Sequence, residues 1–160
     1  MSKREAVKPR ALDLFCGAGG SSWGAKAAGI EIVAGFDLWP LAGEAHKANF
    51  PTSEFIPGRL EDHNLHELTT RLGKVDLILA SPECTNHSPA KGNKPRCEES
   101  KDTAFQVIRF AKAFEPRWVV IEDVHETPGR SCVDQMLAVG YQMKGKTRSN
   151  SLLQLPVRLP

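Results

Sequence analysis

The order of apolar segments constrains the fold of this chain more than any other feature. Short runs rich in β-branched and aromatic residues alternate with amphipathic stretches. That alternation is typical of a parallel sheet covered by helices, so we predict an α/β fold with a doubly wound, mostly parallel sheet and helices on both faces. The predicted strands are 11–15, 31–36, 53–56, 75–80 and 117–122, and the predicted helices are 21–28, 41–49, 64–72, 102–114 and 130–138.

The composition agrees with one globular domain. The chain has 160 residues, 41% of them hydrophobic and 25% charged, and its net charge of +2 is too small to indicate a nucleic-acid partner by itself. It contains no apolar run of membrane-spanning length and no signal-like stretch near its amino terminus. We therefore expect a cytoplasmic protein with no membrane partner.

The cysteines favour neither a disulfide framework nor a metal site. Four of them are widely spaced without a CxxC pair, so reduced thiols are expected. Cys84, His87 and Cys97 would offer three metal ligands without a clear fourth, and no metal is predicted.

Cys84 lies where a catalytic group is expected. It follows the apolar run 75–80, and ligands of open α/β sheets bind beyond the carboxyl ends of the strands. The irregular stretch 81–100 is long for a compact domain, which is typical of functional or disordered loops. Cys84 is therefore a candidate nucleophile, although a lone cysteine is more often a small buried hydrophobic residue.

A glycine-rich turn after the first strand indicates a nucleoside-containing cofactor. Residues 13–20 read DLFCGAGG, which matches neither G-x-G-x-x-G nor a P-loop. Glycines let a ligand approach the main chain, and Asp37, after the second strand, can accept hydrogen bonds from ribose hydroxyls. The alternative is a tight turn and a helix-capping aspartate.

Glu122 ends the last predicted strand, at the same sheet edge as Cys84. A partly desolvated glutamic acid could exchange a proton with a substrate there. A solvated acid, or one that caps a turn, is the alternative.

Three segments together resemble the DNA cytosine-5 methyltransferases. Residues 13–20 resemble the cofactor loop of that family, 81–84 (SPEC) its nucleophile loop and 122–124 (EDV) its Glu-Asn-Val motif, in the family's order. The resemblance covers roughly residues 10–125 and implies a Rossmann-like S-adenosylmethionine-dependent methyltransferase fold. It also implies that Cys84 attacks C6 of a cytosine flipped out of double-stranded DNA, while Glu122 holds N3 and the exocyclic amine.

The same resemblance assigns the cofactor site. Phe15 would lie against the adenine, the glycine main chain near the methionine portion and Asp37 on the ribose, while Leu38 stands where the family often has an aromatic residue. The implied cofactor-binding residues are Phe15, Cys16, Gly17, Gly19, Gly20, Asp37 and Leu38.

A basic cluster follows Cys84 in the loop that the family closes over DNA. Ser88, Lys91, Lys94 and Arg96 are candidate DNA contacts through the phosphates. A solvated loop, offset by nearby acidic residues, is the alternative.

Three positions depart from the family pattern. Glu83 stands where a proline commonly precedes the nucleophile, and Asp123 replaces the asparagine after Glu122. Arg59 stands where an acid contacts the adenine amine, and only a shift in register would let Asp62 accept that bond.

The chain is shorter than the family pattern. We predict a carboxyl-terminally truncated catalytic domain over residues 1–146 and an irregular tail over 147–160 that docks on the sheet or is disordered. The target-recognition region is absent, and a second chain could supply it. A non-catalytic remnant or assembly subunit, and a tRNA cytosine-5 methyltransferase, are the alternative functions.

Overall fold

The computed structural model describes residues 7–82, 99–122 and 152–156. The strands are β1 (Arg10–Leu14), β2 (Glu31–Asp37), β3 (Glu54–Pro57), β4 (Leu77–Ala80), β5 (Trp118–Glu122) and β6 (Leu152–Pro156). The helices are α1 (Gly20–Ala27), α2 (Pro40–Asn49), α3 (Leu65–Leu72) and α4 (Glu99–Phe114), with a short 3-10 turn at Leu60–Asp62.

The strands form one six-stranded sheet in the order β3-β2-β1-β4-β5-β6. The first five strands are parallel to one another. The predicted doubly wound, mostly parallel sheet is confirmed, and the five predicted strands agree with the observed ones to within two residues at each end. The predicted helix 130–138 lies outside the described residues.

The tail is not irregular throughout. Residues Leu152–Pro156 form β6, which pairs antiparallel to β5 with Glu122 opposite Leu152. The prediction of an irregular tail is therefore wrong for these five residues, because pairing with β5 satisfies main-chain groups that an isolated short segment would leave to water. Of the two alternatives for the tail, docking on the sheet describes this segment.

Helices cover both faces of the sheet, as their amphipathic patterns require. Leu12 and Leu14 of β1 face a large core shared with α3 and α4, in which Phe36 and Phe110 meet edge to face. Ala11 belongs to a smaller core with Ala25 of α1 on the opposite face. Since side chains alternate along a strand, Asp13 also points to the α1 face, where it is fully buried.

Local sequence signals set the helix ends. Pro40 opens α2, where its missing N–H costs no helical bond. The Asn64 side chain caps α3 by accepting bonds from the amides of His66 and Glu67, and Gly73 ends that helix at a positive φ of 69°. Among the described helices, none is both long and apolar enough to span a membrane.

Candidate cofactor and catalytic site

The predicted site residues that the structure describes lie at one edge of the sheet. The strand order reverses between β1 and β4, so their carboxyl ends diverge toward helices on opposite faces. Such a switch point leaves a crevice in which α/β proteins bind ligands. The turn after β1, the end of β2, Ser81 after β4 and Glu122 at the end of β5 all lie at this edge.

The turn after β1 has a backbone that ordinary residues rarely adopt. Phe15 has φ 60°, Gly17 φ 49° and Gly19 φ 92°. Two main-chain bonds hold this shape, from the Cys16 amide to the Phe36 carbonyl at 3.0 Å and from the Gly19 amide to the Cys16 carbonyl at 2.8 Å. Glycine adopts positive φ angles at little energetic cost. Phe15 has backbone strain at its positive φ, and the packing of its side chain against the core offsets that strain.

Asp37 ties this turn to the end of β2. Its Oδ2 atom accepts a hydrogen bond from the Gly17 amide at 2.8 Å, and its Oδ1 atom accepts one from the Trp39 amide at 2.8 Å. Each carboxylate oxygen has a second lone pair, so Asp37 can still accept bonds from the hydroxyls of a bound ribose.

The turn has one open side and one closed side. A Cβ atom added to Gly17 or Gly20 would meet no atom of the described residues within 4 Å. One added to Gly19 would lie 2.5 Å from Cε2 of Phe50. A ligand can therefore approach the main chain over Gly17 and Gly20, and this open main chain beside an anionic Asp37 fits an S-adenosyl cofactor.

Cys16 can contribute only its main chain to such a ligand. Its side chain is 6% exposed, and its Sγ atom would lie 3.0 Å from a Cβ atom built on Gly35, on the side where the His46 ring also sits. Burial, followed by the nearby Asp13 and Asp37 carboxylates, raises the pKa of the thiol to about 12. Cys16 is therefore a neutral packing residue at physiological pH.

Asp13 lies beneath the turn. Its Oδ2 atom accepts a 2.6 Å hydrogen bond from the Ser22 hydroxyl, while its Oδ1 atom, also buried, has no partner among the described residues. Burial raises the pKa of this carboxyl to about 6, against the lowering effect of the hydrogen bonds from Ser22. Sequence reasoning missed Asp13 as a functional residue, although an acid among apolar strand residues is a signal that could have found it.

The end of β2 presents a small apolar surface. Leu38, Trp39 and Leu41 are 59%, 58% and 53% exposed, which is unusual for large apolar side chains in succession. The sequence prediction chose Leu38 and missed Trp39. The Trp39 amide donates a hydrogen bond to Asp37, the predicted ribose-binding residue. The aromatic side chain of Trp39 is therefore attached close to the predicted ribose site.

The segment after β3 is held by α4. Arg109 donates to the carbonyl oxygens of Leu60, Glu61 and His63. Arg59, which departs from the family pattern, lies within 3.4 Å of the Glu61 carboxylate. Asp62 ends the 3-10 turn, with its amide bonded to the Arg59 carbonyl at 3.1 Å.

A cleft of about 340 Å³ opens between α1 and the strands β4 and β5. Leu77, Leu79 and Val120 contribute to its apolar wall, and Ser21, Ser81 and Glu122 line it as well. The hydroxyl oxygens of Ser21 and Ser81 are 3.3 Å apart, which links the start of α1 to the end of β4. The exposed Glu122 therefore lines the same cleft as Ser81, which lies three positions before Cys84 in the sequence.

The remaining predicted site residues lie outside the described parts of the chain. They are Cys84, Ser88, Lys91, Lys94 and Arg96. Within residues 7–82, 99–122 and 152–156, no group of three or more His, Cys, Asp or Glu side chains is arranged to hold a metal ion.

Solved structures share this fold. A DNA modification methyltransferase encoded within a prophage of E. coli superposes with a TM-score of 0.71 at 19% identity, over 86% of this chain and 40% of that one. The Dnmt2 methyltransferase of S. pombe superposes with a TM-score of 0.65 at 18% identity, over 85% of this chain and 43% of that one. These similarities show the fold alone.

Curated relatives extend the comparison to sequence. Type II methyltransferase M.HindV of Haemophilus influenzae is 28% identical over 153 residues, which are 92% of this chain and 49% of that protein. M.XorII of Xanthomonas oryzae is 30% identical over 74% of this chain and 28% of its own length. M.HgiGI of Herpetosiphon aurantiacus is 31% identical over 72% of this chain and 90% of its own length.

The chain spans less than half of the length of several curated relatives, M.HindV and M.XorII among them. It also spans 34% of Type II methyltransferase M.DdeI of Desulfomicrobium norvegicum and 39% of M1.HphI of Haemophilus parahaemolyticus. A family model describing C-5 cytosine-specific DNA methylases matches residues 10–146, most of the chain. On this match, and on the fold and turn described above, the chain belongs to the C-5 cytosine-specific DNA methylase family.

Proposed function

We propose that this chain carries the cofactor-binding and nucleophile portion of an enzyme that methylates C5 of cytosine in DNA with S-adenosylmethionine. One observation carries the proposal. The glycine-rich turn, Asp37, Ser81 and Glu122 follow or end four different strands at one edge of the sheet. At that edge Ser81 and Glu122 line one cleft with Ser21, which directly follows the turn. Family membership supports the reaction class.

The cofactor-binding role divides between the turn and the end of β2. The open main chain over Gly17 and Gly20 would hold the methionine portion, and Asp37 would accept bonds from the ribose hydroxyls. Phe15 and Leu38 would pack against the adenine, and the exposed Trp39 ring is a further candidate for that contact. The cofactor, when bound, supplies an electrophilic methyl group.

The catalytic role falls to Cys84 and Glu122. The Cys84 thiolate forms a bond from its sulfur to C6 of the flipped cytosine, which makes C5 nucleophilic. After C5 is methylated, a base removes the C5 proton and the sulfur–C6 bond breaks, so the thiolate is restored. Glu122 hydrogen-bonds N3 and the exocyclic amine, which favours the polarised ring that this addition requires.

DNA contacts are assigned to the segment after Cys84. Ser88, Lys91, Lys94 and Arg96 would bind phosphates and hold the duplex without reading its sequence. Recognition of a target sequence is assigned to the part of the enzyme that corresponds to the unmatched length of M.HindV and M.DdeI, and a second chain is one source of it.

Covalent trapping tests the proposal. DNA that carries 5-fluorocytosine cannot release the C5 substituent as a proton, so the sulfur–C6 bond persists and a denaturing gel shows a shifted band. The chain is assayed with S-adenosylmethionine, alone and with a polypeptide that carries the part of M.HindV outside the match. We expect an adduct with the wild type and with Cys97→Ser, and none with Cys84→Ser.

Two outcomes would contradict the proposal. If no adduct forms with the complementary polypeptide present although calorimetry shows cofactor binding, the chain is a non-catalytic remnant or an assembly subunit. If tritiated methyl groups are transferred to tRNA and not to DNA, the substrate class is wrong while the thiol chemistry stands.

A further inference from the structure

Asp13 is the buried titratable group that the proposed reaction leaves unused. It lies in the middle of the sheet, with Gly35 of β2 and Leu79 of β4 as its register partners, directly before the glycine-rich turn. Its side chain has no exposed surface. A carboxylate in this position normally has its full set of hydrogen bonds, because burying an unpaired charge is costly.

The carboxyl of Asp13 is only half paired. Ser22, on the first turn of α1, donates through its hydroxyl to Oδ2, and its main chain is a second donor to the carboxyl. Oδ1 is buried without a partner among the described residues. No side chain of the described residues caps α1 at Gly19, and the first turn of the helix contains no acidic residue. Asp13 therefore serves as the anionic cap of α1 from beneath.

The charges around Asp13 do not neutralise it. Asp37, at the end of β2, raises its pKa further, and Asp13 and Asp37 in turn both raise the pKa of Cys16. On α2, His46 lies over Gly35, but burial lowers the pKa of its ring and favours the neutral form. From β4 the facing register partner is the apolar Leu79. None of the described groups that shift the pKa of Asp13 is a cation.

We propose that Asp13 is a specificity-determining residue, whose half-paired carboxylate beneath the glycine-rich turn favours a ligand of net positive charge. This inference rests on the proposed function, because S-adenosylmethionine carries a sulfonium ion and a net positive charge. Loss of the methyl group turns the sulfonium into a neutral thioether. Asp13 therefore favours the methyl donor over S-adenosylhomocysteine, its demethylated product, and promotes exchange of product for donor.

If Asp13 favours a positively charged ligand, the binding of that ligand should depend on pH, whereas a purely structural role of Asp13 would not produce this dependence. A bound cation stabilises the ionised carboxylate, so donor binding lowers the pKa of Asp13 and releases a proton near pH 6, whereas the neutral product does so less. The affinity for the donor should rise as the pH increases through about 6 and then level off. The affinity for the product should change less.

Calorimetry with both ligands, from about pH 5 to about pH 8, tests the inference on wild type, Asp13→Asn, Ser22→Ala and the control Asp76→Asn. Asp76 is a matched acid because its carboxylate also accepts a main-chain N–H, that of Arg10, but at the opposite end of β4. A charge at roughly 10 Å and an effective dielectric constant near 20 changes a cation's affinity by about tenfold.

We expect Asp13→Asn to reduce the preference for donor over product by about tenfold above pH 7 and to remove the dependence on pH. Ser22→Ala should move the midpoint of that dependence to higher pH, because it removes a donor that lowers the pKa of Asp13. Asp76→Asn should behave like the wild type. Asparagine is nearly isosteric with aspartate and can still accept the Ser22 bond, so this variant is expected to fold.

Two results would overturn the inference. If Asp13→Asn binds both ligands and keeps the wild-type preference and pH dependence, the inference fails while the proposed function stands. If the wild type binds neither ligand over the whole pH range, both fail together.

Discussion

The carboxylate of Asp37 links Gly17, in the turn after β1, to the start of α2. One of its oxygens accepts a hydrogen bond from the Gly17 amide and the other accepts one from the Trp39 amide, each at 2.8 Å. One side chain thus sets the distance between the turn after β1 and the start of α2. Asp37 lies twenty positions after Gly17 in the chain, and the parallel pairing of β1 with β2 brings the two residues together.

Asp37→Ala should weaken the binding of S-adenosylmethionine at least tenfold and reduce the free energy of unfolding by about 2 kcal/mol, because two main-chain N–H groups lose their acceptor. Asp76→Ala is the control: it removes one such bond at the opposite sheet edge and should cost about 1 kcal/mol without changing the affinity. Urea unfolding and calorimetry measure the two effects. Equal affinities for the two variants would remove Asp37 from the binding site.

The glycines of the turn should differ in why they are needed. Gly19→Ala should reduce the free energy of unfolding by about 3 kcal/mol, because a positive φ is combined with a Cβ atom 2.5 Å from the buried Phe50 ring. Gly17→Ala should reduce the free energy of unfolding by about 1 kcal/mol, because only the positive φ is unfavourable for alanine. It should nevertheless weaken cofactor binding, because the new methyl group occupies the open side of the turn.

Gly29→Ala separates these effects. Gly29 also has a positive φ, of 82°, and no atom in the described part of the chain lies within 4 Å of an added Cβ atom. It lies at the end of α1 away from the turn. It should match Gly17→Ala in stability and the wild type in affinity. If Gly17→Ala binds the cofactor like the wild type, the ligand does not approach over Gly17.

Asp13 should make global stability depend on pH. The folded pKa of about 6 exceeds the ordinary value of 3.8, so the folded state binds the proton more tightly than the unfolded state. This tighter proton binding stabilises the folded state fully below about pH 4, and the stabilisation is lost as the pH rises through about 6. The free energy of unfolding changes by about 3 kcal/mol over that range.

Asp13→Asn should remove that term, so its free energy of unfolding relative to the wild type should rise by up to about 3 kcal/mol between about pH 4 and about pH 7.5. Urea titrations of both proteins across this range measure the difference. Burial lowers the pKa values of His46 and His63, so these two residues reduce stability as the pH falls, the opposite of the effect of Asp13. Both proteins contain them, so their contribution cancels in the comparison. A constant difference between the two proteins would contradict the assignment.

Arg109 should matter through its geometry as well as its charge. Arg109→Lys should reduce the free energy of unfolding by about 2 kcal/mol, since an ammonium cannot reach the three carbonyl oxygens that the planar guanidinium bonds together. Arg71, which forms an exposed pair with Glu54, is the control, and Arg71→Lys should change stability by no more than about 0.5 kcal/mol. Similar losses in the two variants would show that Arg109 acts as a simple surface charge.

Much of the fold and part of the candidate site could be predicted from residue order. The five parallel strands follow from apolar periodicity, because a strand buried between two helical layers must be apolar along its length. The glycine-rich turn and Asp37 were recognisable because backbone conformation and hydrogen-bonding capacity are properties of residue types. The strand at Leu152–Pro156 was not predicted, since its conformation depends on pairing with β5.

The sequence by itself determined which residues could carry the chemistry and that their strands would run in parallel. Only the tertiary structure decided how they are used. The Cys16 side chain is buried, Phe50 blocks one side of Gly19, and one oxygen of Asp13 has no hydrogen-bond partner among the described residues. The reason is physical. Burial, the spare hydrogen-bonding capacity of an atom and the open side of a glycine all depend on neighbours from distant parts of the chain, and those neighbours are fixed only when the sheet and its helices pack.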